Sequence, residues 1–221
     1  MAEIPARGWS SSTQAETADV VLLRHGATRL TPDKRFSGVG AGDPGLSAAG
    51  LDQARRAANS PLLRRGTFVE VLCSPMTRCR ETAELIAAEL DLPVGIEAEL
   101  REMDFGHWEG MTFHEVQDRY PNNRREWKRS PDAPPTGSTE TFAAVLERMG
   151  SVARTLTTRY AGGSVLAVTH VTPIKALVAQ ALGAPPEALF RMELSAACFS
   201  RIAYTGEEAS VKLLNDTSHL Y

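Results

Sequence analysis

Two histidines in this 221-residue chain each stand at the end of an apolar run. His25 follows Val20-Val21-Leu22-Leu23-Arg24, and His170 follows Ser164-Val165-Leu166-Ala167-Val168-Thr169. Apolar runs of this length that stop at polar residues read as buried strands, and open α/β sheets place their ligands at the carboxyl ends of such strands. His25 offers an imidazole able to attack an electrophile, Arg24 a permanent cation, and Gly26 a backbone that can bend closely around a bound group. Together they suit an anion that is to be attacked. Arg78 and Arg80 lie near the start of a later helix and can be aimed at an anion at the sheet edge. Taken alone, two arginines there read as a solvated face, because helix starts prefer acids. The segment Glu99 to Gly110 adds Glu102, Asp104 and Glu109, with Trp108 between Gly106 and Gly110. It reads as a functional loop whose carboxylate, tuned by burial or charge, can serve as a general acid or base.

These side chains require a scaffold of alternating strands and helices, and the rest of the sequence supplies one. Residues 29–44 are loop-like, with Pro32, Gly38, Gly40, Gly42 and Pro44. A helix follows from about Ser47, its cap, with Leu46, Ala49, Ala54, Ala57 and Ala58 as a packing face. Val69 to Ser74 is a second strand, and Pro75 opens a helix carrying Ala83, Ile86, Ala87 and Leu90. Leu92 to Ile96 is a short strand. Thr112 to Glu115 fits a capping box, with His114 exposed on that helix. Residues 124–137, basic and then proline-rich, read as a surface excursion. Ser138 then caps a long helix whose Phe142, Val145, Leu146, Met149, Val152, Ala153 and Leu156 form one apolar face. The helix after His170 starts near Pro173 and stops at Gly183, and two strands joined around Gly206 form an antiparallel pair. The expectation is a three-layer α/β/α sandwich with a mostly parallel central sheet. Residues 1–18 read as a flexible linker or tail and residues 19–221 as one domain, a placement compatible with the C-terminal part of a longer polypeptide.

The formal charge of −3 and the pI near 6.0 argue against a broad basic surface for nucleic acid, but leave room for a small cationic pocket. Cys73, Cys79 and Cys198 lack zinc-ligand spacing and read as reduced thiols of a cytoplasmic protein. No apolar segment approaches a membrane span, and no partner membrane is expected.

The motifs carry a resemblance beyond these readings. Leu22-Leu23-Arg24-His25-Gly26-Ala27-Thr28, Leu46-Ser47 with Gly50, Gln53 and Ala54, Ser74-Pro75-Met76-Thr77-Arg78-Cys79-Arg80-Glu81-Thr82-Ala83, Leu100 and Glu102 through Trp108-Glu109-Gly110, and Val168-Thr169-His170 resemble, in order, the signatures of the histidine phosphatase superfamily, which includes the phosphoglycerate mutases. The resemblance runs through nearly all of residues 20–219. It implies that His25 is the nucleophile that takes a phosphoryl group, that Arg24, Arg78 and His170 form the phosphate pocket, and that Glu102 is the proton donor. It also places Thr31, Ser37 and Val171 around the substrate, and implies no metal and no cofactor. Ala27 stands where an acid is common, Thr31 where asparagine is common, and Val171 where glycine is usual; these departures bear on substrate preference.

Phosphoglycerate mutases tend to carry a longer middle excursion, whereas about thirty residues here separate Gly110 from Thr139. That favours water as the acceptor, and so a phosphatase. Among phosphatases the chain resembles the α-ribazole phosphatase branch, and in particular the C-terminal domain of actinobacterial bifunctional ribonuclease H/α-ribazole phosphatase proteins. The implied partners are a small phosphorylated substrate and, in a full-length protein, a covalently linked N-terminal ribonuclease H domain. A broad acid or sugar-phosphate phosphatase, a phosphoglycerate mutase and a non-catalytic phospho-ligand-binding module are the alternatives. An acid-shifted or near-neutral pH optimum is expected, because His25 must be neutral while Glu102 holds its proton. Phe36, Phe105, Trp108 and His107 can either stack on an aromatic leaving group or serve as packing. Oligomeric state is left open.

Overall fold

The computed structural model describes residues 16–40 and 42–221. Strands β1 (Thr17–Arg24), β2 (Phe68–Cys73), β3 (Val94–Ile96), β4 (Ser164–Thr169), β5 (Phe199–Thr205) and β6 (Glu208–Asp216) form one sheet in the order β3-β2-β4-β1-β5-β6. The first four of that order run parallel; β5 pairs antiparallel with β1, and β6 antiparallel with β5. The helices are α1 (Ala48–Ala58), α2 (Pro61–Arg64), α3 (Thr77–Leu90), α4 (Phe113–Arg119), α5 (Pro121–Arg129), α6 (Phe142–Arg159) and α7 (Val171–Ala181).

Successive strand side chains point to opposite faces, so an uninterrupted apolar strand must be covered on both. In β1, Val20 and Leu22 join one core with Val145 and Met149 of α6 and Ile174 and Leu177 of α7. Val21 and Leu23 join the other, with Ala57 of α1 and Cys79, Ala83 and Ile86 of α3. The result is the expected α/β/α sandwich.

Register then builds the site. Arg24 lies opposite Thr169 across the parallel β1–β4 pair, so His25 and His170 leave the sheet side by side. Cys73 lies opposite Val168, and the chain turns from β2 through Ser74 into α3, which brings Arg78 to the same edge. Behind His25 the backbone is tightly packed: a Cβ added at Gly26 would lie 2.5 Å from the Gly50 carbonyl oxygen of α1, so only glycine fits.

Several local expectations shift. Residues 1–15 of the expected linker lie outside the described residues, and Thr17 and Ala18 belong to β1, with Ala18 fully buried. Ser47 does cap α1, its Oγ accepting from Gly50 N at 3.1 Å, but Ala49 faces solvent. Helix α3 starts at Thr77, after Pro75, and Arg80 is exposed. The Thr112–Glu115 capping box forms, and His114 is exposed. The excursion after Arg124 is partly helix α5, because Trp127 gives it one buried apolar anchor among charged residues. Thr141, not Ser138, caps α6; Ser138 Oγ instead donates to Asp104 at 2.9 Å.

Candidate active site

His25 is buried at the carboxyl end of β1 and held by two contacts that assign the same tautomer. Its Nδ1 lies 2.7 Å from the Gly26 carbonyl, which can only accept, so Nδ1 carries the proton. Arg78 Nε, which can only donate, reaches His25 Nε2 at 3.3 Å. The lone pair of the neutral ring is therefore on Nε2 and directed at a guanidinium. Burial first, then Arg78 and Arg24, hold the His25 pKa well below its ordinary value near 6.5. The ring is neutral and nucleophilic across the neutral range.

His170 stands beside it, with ring centroids 5.1 Å apart and an interplanar angle of 64°. It is fully buried; its Nε2 meets Ser74 Oγ at 2.8 Å and Cys79 Sγ at 3.3 Å. Burial, followed by Arg78 and His25, keeps its pKa well below 6.5 as well.

Arg78 is fully buried, and each side of its guanidinium is held: Nη1 by Asp43 at 3.1 Å, Nη2 by the Ser37 carbonyl at 2.9 Å and the Gly38 carbonyl at 3.3 Å. Asp43 also accepts from Thr77 N at 2.8 Å, so one carboxylate fixes both the start of α3 and its arginine. Arg24 donates from Nη1 to the Leu194 carbonyl at 2.6 Å, while its buried Nε has no partner among the described residues. An unpaired buried N–H of a cation is a strong call for an acceptor. Glu102 is 5% exposed; its carboxylate accepts from Met103 N at 2.8 Å and from Thr172 N, in the first turn of α7, at 3.2 Å. Among the described residues, no group of three or more His, Cys, Asp or Glu side chains is placed to hold a metal ion.

Arg24, His25 and Glu102 open into one cavity of about 510 Å3, which Thr31, Ser37 and Val171 also line. Thr31 spends its hydroxyl on the backbone, accepting from Thr28 N at 2.9 Å, so it shapes the loop as well as the wall. Arg78 and His170 are not among the residues that line this cavity; Arg78 faces the Nε2 of His25, and His170 packs beside its ring. A larger recess of about 700 Å3, lined by Asp19, Arg201, Glu208 and Lys212, lies where β1 begins and holds no histidine.

This arrangement, an uncharged imidazole lone pair among buried cations with a carboxyl group on the same wall, accompanies a match of residues 20–217 to the histidine phosphatase superfamily (branch 1). The chain belongs to that superfamily. Among its relatives is the "Bifunctional protein Rv2228c" of Mycobacterium tuberculosis, 39% identical over 214 residues, which cover 96% of this chain and 57% of that one. The chain thus spans little more than half the length of that relative. The "Adenosylcobalamin/alpha-ribazole phosphatase" of Escherichia coli is 32% identical, the match covering 88% of this chain and 94% of that one. The crystal structure of the alpha-ribazole phosphatase from Shigella flexneri superimposes with a TM-score of 0.76 at 30% identity, over 90% of this chain and 96% of that one. Superfamily membership and phosphatase-named relatives support phosphoric monoester hydrolase activity.

For a histidine phosphatase superfamily member, some cavity residues were not foreseeable from motif spacing. Trp127, Phe142 and Phe190 form an aromatic wall with Trp127 centroids 4.7 Å from Phe142 and 5.0 Å from Phe190, and Phe113 packs 4.6 Å from Phe36. Of the aromatic residues read from the sequence, Phe36 and Phe105 line the cavity, Trp108 is buried away from it, and His107 is exposed. Asp43 and Lys175 were also missed. The proline and glycine content around Asp43 marked the loop but not its partner, and Lys175 sits one turn beyond Val171 in an otherwise apolar helix.

Proposed function

We propose that this chain is a metal-independent phosphomonoesterase that works through phosphohistidine at His25, and that α-ribazole 5'-phosphate is its substrate. The observation that carries the reading is the His25 Nε2 lone pair held against Arg78, beside Arg24 with its unpaired Nε. A phosphoryl group entering there takes the place of Arg78 as the partner of Nε2 and is gripped by both guanidiniums, which meet the charge spread over its equatorial oxygens.

His25 Nε2 attacks phosphorus as the bond to the ester oxygen breaks, and the Gly26 carbonyl keeps the Nδ1 proton in place while the ring takes up positive character. Glu102 gives its proton to the departing alkoxide. Water then attacks the phosphohistidine, Glu102 takes one water proton, and phosphate leaves with His25 restored. His170, neutral and held by Ser74, donates its one N–H to a phosphoryl oxygen without adding charge.

The relatives named as α-ribazole phosphatases support the substrate assignment, and Phe113 and Phe190, the cavity-lining aromatics that remain exposed, offer faces on which a flat heteroaromatic base can stack. On this reading the protein is cytoplasmic. The name of the mycobacterial relative and its greater length support a covalently linked further domain, for which an N-terminal ribonuclease H domain is the proposal. The test is phosphate release, with chelator present, from α-ribazole 5'-phosphate, 3-phosphoglycerate, sugar phosphates and p-nitrophenyl phosphate. A marked preference for the ribazole ester, lost in His25→Ala, is expected. Comparable rates on all esters would refute the substrate, and transfer between phosphoglycerate positions without free phosphate would refute the phosphatase.

A further inference from the structure

Lys175 lines the same cavity as His25 and Glu102, yet it has no ion pair or hydrogen bond among the described residues. Its position is set by α7. Val171, Thr172 and Lys175 lie within one helical turn on the cavity side, and Thr172 N is the donor to Glu102. The lysine stem is half-buried among apolar neighbours that otherwise fill the helix, and burial lowers the ammonium's pKa while Glu102 and Glu193 oppose that shift. A half-buried ammonium that makes no bond within the protein has lost part of its hydration without a replacement.

Chemistry fixes which part of a ligand it meets. The phosphoryl group belongs to Arg24, His25 and Arg78. Glu102 must lie against the ester oxygen to protonate it, so a cation one turn beyond the Glu102 donor faces the leaving alcohol and not the phosphorus. We propose that Lys175 is a specificity-determining residue that donates to an oxygen acceptor, hydroxyl or carboxylate, on the leaving alcohol within a few bonds of the ester. The substrate class is then phosphomonoesters of polyhydroxylated or hydroxy-acid alcohols, including a phosphorylated ribose, in preference to simple alkyl esters. This rests on the phosphatase reading above and adds to it the part of the substrate that Lys175 recognises.

The experiment compares n-propyl phosphate, glycerol 3-phosphate and 3-phosphoglycerate, which share a three-carbon chain and differ in its oxygens. In the intact chain, Lys175→Met is expected to lower the kcat/KM ratio of an oxygenated ester to propyl phosphate about tenfold, the scale of one charge-assisted hydrogen bond. Lys175→Arg, which keeps the cation, retains most of the preference. The ratio does not depend on the fraction of protein that folds. A fall for both oxygenated esters assigns hydroxyl recognition, and a fall for 3-phosphoglycerate alone assigns carboxylate recognition. An unchanged ratio, whether all three rates fall together or none does, overturns the proposal. Calorimetric binding of the same esters to His25→Ala, with and without Lys175→Met, separates the two claims. A preference that survives Lys175→Met overturns the lysine contact, whereas absence of turnover in the wild type, with a preference that Lys175→Met removes, overturns only the phosphatase reading.

Discussion

At the scale of single residues, the site works by keeping two histidines uncharged inside a cationic setting. Because burial, Arg78 and Arg24 depress the His25 pKa, protonating that ring opposes folding. The unfolded chain binds a proton near pH 6.5 and the folded protein does not, so stability is fully present above that pH and falls as pH drops below it. His170 acts in the same direction. The melting temperature is expected to decline from pH 7 to pH 5, with a shallower slope in His170→Gln; equal slopes would show that the imidazole is already charged in the native state. Asp43 carries the opposite charge at the same place. Its carboxylate is the ion-pair partner of a fully buried Arg78 while itself about one-third exposed. Asp43→Asn should lower stability by about 1–3 kcal/mol, less than for a fully buried pair, and should tighten inhibition by inorganic phosphate because a competing anion is gone. Thermal melts and phosphate inhibition constants check both parts, and weaker phosphate inhibition would make Asp43 a positioning group for Arg78 only.

At the scale of elements, the long amphipathic helix α6 illustrates how a cap is chosen. Thr141 accepts from Ala144 N at 3.1 Å, so Thr141→Ala is expected to cost about 1 kcal/mol in a denaturant titration, while Ser138→Ala acts through Asp104 and Glu140 instead. Sequence alone offered Ser138 because both residues are competent caps and only the course of the chain decides between them. Strands β1 and β4 were legible for a firmer reason: each is an apolar run ended by a polar residue, and both the sandwich and the pairing of His25 with His170 follow from that pattern. Glu102 and Arg78 were legible only through motif order, since an acid in a loop and an arginine at a helix start have common solvated uses. The aromatic wall and α5 were not legible, because Trp127, Phe142 and Phe190 are distant in sequence and meet only when three separate segments fold over the cavity. Lys175 was invisible for a similar reason: nothing in its helix signals that the turn faces the cavity.

At the scale of the whole molecule, the sheet and its two helical layers frame the cavity, and residues at the carboxyl edge of the sheet line it. An anion that fills the cavity therefore stabilises the whole domain by mass action, by about 2.7 kcal/mol at one hundred times its dissociation constant. Orthovanadate or inorganic phosphate at that level is expected to raise the melting temperature by roughly 5–10 °C, a shift that Arg24→Met abolishes. In the proposed reaction His25 forms a covalent bond to phosphorus. The most direct measurement is rapid quenching of the wild-type chain with a 32P-labelled phosphomonoester, under alkaline conditions that preserve phosphohistidine, followed by peptide mapping. Label is expected on the peptide containing His25 and none in His25→Ala. Label on another residue, or undiminished phosphate release from His25→Ala, would contradict the proposed reaction.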